Sequence, residues 1–378
     1  MKLSEAECPK LRVLIFILAL MVPGAAACSR DRRPLNARLQ AAVDEGLRKY
    51  GVKGASAALI FPDQSIRLVA GGVSHDTVPM QPDMLFAIGS ITKNVVAALV
   101  FQLAEEGVLS LEDPLHKWLP AYPKVDGAIT IRQLLAHTSG LYMFWENQKI
   151  WDDLIKYRDK IFTPEDVLSY LKDPHFAPGK GFRYSNTNYL LLAMIITRAT
   201  GASLSAEFRR RFWQPLGLSN AYLSMEEQIP DRLAHVWGDN FENDGSFRDN
   251  TFLPRSSHES ITYGSAGLFM TAEDLARWCR LLFEGKVLRQ SSLDGMLAIG
   301  KDGYGLGVQL FRKSLVGGEK AIGHGGANIG TAAYMMYLPE HRLSIVLMIN
   351  AFKNKCINYI TGELVSISTE YLSSQKVG

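Results

Sequence analysis

Ser90 and Lys93 stand three residues apart in the run Phe86-Ala87-Ile88-Gly89-Ser90-Ile91-Thr92-Lys93. The run reads as the end of an extended segment, a glycine, and the first turn of a long helix. No helix breaker occurs from Asn94 to Glu106, Val96, Val100 and Leu103 recur at helical spacing, and Gly107 is a C-terminal stop. Ser90 is therefore expected near a helix N-terminus, where unpaired N–H groups favour negative charge. Lys93 follows one turn on, on the same face. A serine hydroxyl is a weak nucleophile until a neighbour takes its proton. A lysine one turn away can do so once burial or nearby cations lower its pKa. Taken alone, the spacing fits a helix cap equally well. Ser169 to Lys172 and Ser373 to Lys376 repeat it, the first as ordinary helix surface and the second as a polar tail.

Two further stretches carry groups that a nucleophile needs, a proton path and an oxyanion site. Pro178 to Asn186 reads as a loop by its Pro and Gly, and it brings Tyr184 and Asn186 toward a cleft edge. A tyrosine beside cations can drop below its usual pKa of about 10 and relay a proton. Asn186 can donate to a substrate carbonyl or hold Lys93. The plainer reading is a packed tyrosine with a helix cap. The second stretch is Ala321-Ile322-Gly323-His324-Gly325-Gly326-Ala327, on a strand whose glycines admit close approach by a ligand or another backbone. Its plainer reading is a tight bend with an exposed histidine.

The elements that must position these residues fall into a pattern. Pro34 to Tyr50 is an amphipathic helix, and Ala55 to Phe61 with Ile66 to Gly72 form a hairpin across Pro62-Asp63-Gln64-Ser65. The middle is largely helical. Thr130 opens a helix in capping-box form, Thr163 and Pro164 open another, Tyr189 to Thr200 stops at Gly201, and Leu204 to Trp213 is ended by Pro215 and Gly217. Asp239 to His258 is polar and irregular, and Thr271 caps a helix through Phe283. Strand patterns return at Gly305 to Phe311, Thr331 to Leu338 and Leu343 to Ile349, and Ile357 to Leu372 closes the chain as a helix. The fold class is therefore α+β, an α/β sandwich. Its antiparallel sheet is built from both chain ends with flanking helices, and a largely helical domain is inserted. The expected division is 34–110 with 300–378 for the α/β domain and 111–299 for the helical one.

Length and composition set the outer bounds. The chain has 378 residues, 47% apolar and 21% charged, with a formal net charge of +3. That balance suits a globular protein with a sizeable core and gives no electrostatic footprint for nucleic acid. Lys2, Lys10 and Arg12 precede the apolar run Val13 to Val22, followed by small residues and Cys28. This pattern describes a secretory signal over residues 1–27, hence export to the periplasm or beyond. Ala26-Ala27-Cys28 also resembles a lipidation box, with Ala25 where leucine is usual, so a lipid anchor on Cys28 competes with ordinary cleavage after Ala27. Cys279 and Cys356 are too few and too far apart for a disulfide framework.

Ser-x-x-Lys, Tyr-x-Asn and His-x-Gly occur in that order. In this the chain resembles the serine hydrolases of the class C β-lactamase and penicillin-binding-protein superfamily, as do Thr130 to Leu141, Pro178 to Asn186 and Gly267 to Trp278. The resemblance covers Leu35 to Tyr371. It implies an active site between an α/β and a helical domain, with Ser90 acylated and Lys93 and Tyr184 sharing base and acid duty. It further implies that Asn186 orders the network and that the N–H groups of Ser90 and Ala327 hold the oxyanion. Gly325 and Gly326 would let the strand approach, and His324 would border the cleft and steer the leaving group. No metal or cofactor is implied. The departure is His324, where β-lactamases of the family usually carry the lysine of Lys-Thr-Gly. A histidine with its ordinary pKa of about 6.5 is mostly neutral at pH 7 and holds a carboxylate less well. The resulting expectation is an esterase acting on small esters, amides or β-lactams, with aromatics between Tyr142 and Trp151 as a candidate acyl pocket. The alternatives are a D-alanyl-D-alanine carboxypeptidase or β-lactamase acting on peptidoglycan peptides, and a penicillin-binding sensor without turnover.

Overall fold

Seven consecutive buried residues, Gly54–Ile60, form the strand on which the rest is assembled. The computed structural model describes residues 33–238, 247–251 and 255–375. The signal segment 1–27 and Cys28 lie outside the described residues. The chain divides into the units 1–33 and 34–378, and everything below belongs to the second.

In chain order the strands are β1 (Gly54–Ile60), β2 (Ile66–His75), β3 (Val78–Pro79), β4 (Phe86–Ala87), β5 (Ala221–Leu223) and β6 (Trp237–Gly238). They continue as β7 (Arg248–Asp249), β8 (Leu268–Met270), β9 (Gln309–Leu310), β10 (Ile322–Asn328), β11 (Thr331–Leu338) and β12 (Leu343–Ile349). Seven of them make one antiparallel sheet in the order β3-β2-β1-β12-β11-β10-β9. The two chain ends meet where β1 pairs with β12, with Ala55 opposite Ile349 and Ile60 opposite Ser344.

Helices cover both faces, which is why β1 lacks the polar alternation of a half-exposed strand. On one face Ala55, Ala57 and Leu59 pack with Ile345 and Leu347 against the N-terminal helix Leu35–Tyr50 and the C-terminal helix Asn354–Gln375. On the other, Ala58, Ile60, Val346 and Met348 join the core of the helices Thr92–Glu105, Asn186–Thr200 and Ala272–Phe283.

Local chemistry fixes many boundaries. Thr130, Thr163 and Thr271 cap their helices, the first two as reciprocal capping boxes. Gly201 ends the helix Asn186–Thr200 in the left-handed conformation, at φ 67°. Other expectations are corrected. Of the two expected stops after Trp213, Gly217 ends the helix and Pro215 does not. A π-turn over Arg209–Trp213 passes the Gln214 N–H back to Arg209, and the chain runs on to Gly217. Ser169 to Lys172 is not helix surface, because the helix ends at Leu168 and Tyr170 and Leu171 are buried. Gly305 to Phe311 gives only the two-residue strand β9. The helix Ser256–Ile261 begins inside the stretch to His258 expected to be irregular. The small sheet β4-β8-β5 went unforeseen, its strands being two or three residues long.

Candidate active site

Ser90 lies in a 3-10 turn, Gly89–Ile91, that leads directly into the helix Thr92–Glu105. The turn is pressed against β10 through two glycines. A Cβ on Gly326 would lie 1.9 Å from the Ile88 carbonyl oxygen, and one on Gly89, whose φ is 54°, would lie 2.3 Å from that of Ala327. Only residues without side chains permit this approach. Thr331 adds a tie, its hydroxyl donating to the Ala87 carbonyl at 3.0 Å.

Lys93 is fully buried while Ser90 is half-exposed. Lys93 Nζ sits 3.0 Å from Ser90 Oγ and donates to the Ser265 carbonyl at 2.7 Å. Burial alone pushes its pKa well below the ordinary lysine value, because an ammonium without water or a carboxylate is strongly disfavoured. The amine lies 5.0 Å from the centre of the Tyr184 ring and 5.6 Å from that of Tyr189. An uncharged amine there can accept the Ser90 proton.

Tyr184 faces Ser90. Burial raises its pKa, and the interaction with the Ser90 side chain pulls it back part of the way. The phenol is therefore protonated and disposed to donate. Its ring packs at 4.3 Å on His137, a residue at φ 58° with no exposed surface. His137 Nδ1 accepts from the Ser185 backbone N–H at 3.2 Å and the Asn188 amide at 2.9 Å. Those two donors fix its proton on Nε2, which has no partner. The imidazole thus ties the start of the helix Asn186–Thr200 to the Tyr184 ring. Burial pushes its pKa well below the ordinary histidine value and keeps it neutral.

His324 does not border the cleft. It has no exposed surface. Its Nδ1 donates to the Gly325 carbonyl at 2.6 Å, and its Nε2 accepts from the Tyr304 hydroxyl at 3.0 Å. Burial, then Lys93, pushes its pKa down to about 3. The expected mostly neutral histidine is therefore neutral at pH 7 and held in one tautomer, away from solvent. Asn186 does not hold Lys93 either, since the lysine bonds to Ser90 and Ser265, and Asn186 Oδ1 is buried without a partner.

Beyond His324 the strand edge opens. β9 pairs with β10 only at Ile322 and Gly323. Gly325 turns its N–H away from β11 to the Gln309 side chain at 2.9 Å. By the two-residue period of a strand, the Ala327 N–H points the same way, to the side where Ser90 sits. Ala327 itself is exposed.

Two cavities meet this edge. One of about 740 Å³ runs from Ala327 and is walled by Trp145, Trp151, Trp237, Phe247 and Phe352. The other, of about 980 Å³, lies on the Tyr184 side with Tyr304, Gln309, Arg312 and Lys355. The aromatic stretch thus divides, Trp145 and Trp151 lining the cavity while Tyr142 and Phe144 are core. Among the described residues no cluster of His, Cys, Asp and Glu could hold a metal ion.

The beta-lactamase family profile matches residues 39–358. The chain belongs to the beta-lactamase family. It is 33% identical to esterase EstB of Burkholderia gladioli over 283 residues, which is 66% of this chain and 71% of that one. It is 27% identical to a penicillin-binding protein of Bacillus subtilis (strain 168) over 293 residues, 72% of this chain but only 62% of that longer protein. Its fold superposes on the D-amino acid amidase of Ochrobactrum anthropi SV3, complexed with L-phenylalanine amide, with a TM-score of 0.79 and 26% identity, covering 89% of this chain and 99% of that one. This beta-lactamase-family protein has the mixed α/β fold of its solved relatives.

Sequence reading missed Ser265, His137 and Tyr304. Ser265 acts through its carbonyl, so its residue type carries no signal. His137 sits within Thr130 to Leu141, a stretch matched to the family but read only as a helix end. Tyr304 reaches His324 through tertiary packing alone.

Proposed function

We propose that this protein is an esterase that forms an acyl-enzyme on Ser90. The observation that carries the reading is the buried amine of Lys93, 3.0 Å from the half-exposed Ser90 hydroxyl, with no carboxylate paired to it among the described residues. Lys93 takes the Ser90 proton as Oγ bonds to the ester carbonyl carbon. The oxyanion is met by the N–H groups of Ser90 and Ala327. The carbon–oxygen bond to the alcohol breaks, and the alcohol leaves with a proton passed through Lys93 and Tyr184. Water then attacks the acyl carbon, gives its proton back along the same path and releases the acid.

Esters are favoured over β-lactams because His324 is buried and neutral, so the third motif offers no cation to a substrate carboxylate. Amide hydrolysis is the second reading, favoured by the likeness to a D-amino acid amidase. The test is turnover of p-nitrophenyl acetate, D-phenylalanine amide, a D-Ala-D-Ala peptide and a chromogenic cephalosporin by wild type and Ser90→Ala. Ester turnover that vanishes in the variant supports the esterase. Labelling by the cephalosporin without turnover of any substrate supports a sensor. Undiminished turnover in Ser90→Ala rules out the acyl-enzyme.

A further inference from the structure

The cavity beside Ala327 is aromatic but not wholly apolar. Asn250 and His258 form part of its wall. Asn250 Oδ1 and His258 Nδ1 are both buried with no hydrogen-bond partner among the described residues. Two of the indole N–H groups nearby are already committed, Trp237 to the Ser74 carbonyl at 2.9 Å and Trp151 to the Trp145 carbonyl at 2.9 Å. Asn250 is only 3% exposed, and its backbone is anchored by donation to the Val236 carbonyl at 2.7 Å. His258 lies flat on Trp145, with ring centres 5.5 Å apart and planes 23° from parallel.

A polar atom buried without a partner loses its water and recovers nothing until another group bonds to it. Two such atoms on one cavity wall define a ligand with a ring and a polar hydrogen. We propose that this cavity receives an aryl acyl group whose ring carries a hydroxyl or N–H, a phenol being the simplest case. This assignment rests on the acyl-hydrolase reading above and names the substrate class of that site.

The aromatic walls supply area and stacking for the ring. Asn250 Oδ1 accepts the ligand hydrogen, and His258 is the second contact. The imidazole is neutral, because burial and then Arg255 push its pKa down to about 3. An ammonium ligand is disfavoured, since Lys353 holds its own ammonium 5.6 Å from the centre of the Phe247 ring on the same wall.

The experiment compares p-nitrophenyl esters of phenylacetic, 4-methylphenylacetic and 4-hydroxyphenylacetic acids, which share one leaving group. Wild type is expected to favour the hydroxyl over the methyl ester by roughly tenfold in kcat/KM. In Asn250→Leu that preference is expected to fall to parity or reverse, with the melting temperature reporting that the variant folds. Equal rates for the hydroxyl and methyl esters in wild type, or preference for methyl, overturn the assignment without any variant. So does a folded Asn250→Leu that keeps the full hydroxyl preference. Ester hydrolysis without discrimination, abolished by Ser90→Ala, overturns the pocket and leaves the hydrolase reading standing. Hydrolysis that survives Ser90→Ala overturns that reading instead.

Discussion

Arg280 and Lys93 are basic side chains removed from water to nearly the same depth, 3% and 0% exposed. Arg280 meets a carboxylate, Glu284, at 3.0 Å and donates to the Phe61 carbonyl at 2.7 Å. Lys93 meets a hydroxyl, one carbonyl and two aromatic faces. Arg280 joins the helix Ala272–Phe283 to the turn after β1 and to the start of β12. Lys93 joins nothing by charge, because its charge is what its surroundings remove. A buried cation given an anion becomes a strut, and one denied an anion becomes a base.

The largest effect should come from removing the base. Lys93→Met is expected to lower kcat by about 10³-fold or more in ester turnover. It should also raise the melting temperature at pH 7. Lysine in the unfolded chain titrates near 10.5, whereas the folded value lies well below. Between the two the unfolded state binds more protons, so wild-type stability rises with pH up to that point. The gain of the variant over wild type should therefore shrink as pH approaches 10.5. A Lys93→Met protein less stable than wild type at pH 7 would show that the amine is paired after all.

Arg280→Met should behave oppositely. Leaving Glu284 to Arg342 alone and the Phe61 carbonyl without this donor is expected to cost about 2 kcal/mol in denaturant unfolding, with kcat of the folded fraction unchanged. A comparable loss of kcat would place Arg280 in the working site and erase the contrast.

His137 sharpens the comparison, since it positions without reacting. His137→Phe keeps a ring against Tyr184 but orphans the Ser185 N–H and the Asn188 amide. His137→Asn keeps an acceptor and suits the left-handed backbone. Roughly tenfold slower turnover of ethyl esters is expected in the first, with less loss for p-nitrophenyl esters, whose alcohol leaves without help. Equal loss on both ester types would make His137 a matter of folding alone.

The smallest effect concerns His324. With its pKa near 3, it takes no part in titration above pH 5. The pH–rate profile should rise with loss of the Lys93 proton, and His324→Gln should leave that limb in place. A shift of the limb toward neutral pH would mean that the imidazole titrates.

What could be read along the chain, and what could not, divides by the range of the interaction. Thr130, Thr163 and Thr271 announce helix starts because a cap is a contact between a side chain and a backbone group three residues on. Thr331–Leu338 and Leu343–Ile349 emerge as strands because a continuous apolar run bounded by a turn is likewise local. The Ser90–Lys93 pair is legible for the same reason, being one turn of helix. By contrast, the Ser265 carbonyl beside Lys93, the Tyr304 hydroxyl on His324 and the burial of His324 join segments separated by tens to hundreds of residues, with no periodicity to mark them. Ionisation belongs to this second group. A lysine, a tyrosine and two histidines carry ordinary pKa values in an unfolded chain, and it is the dry, carboxylate-free packing around Ser90 that moves each one.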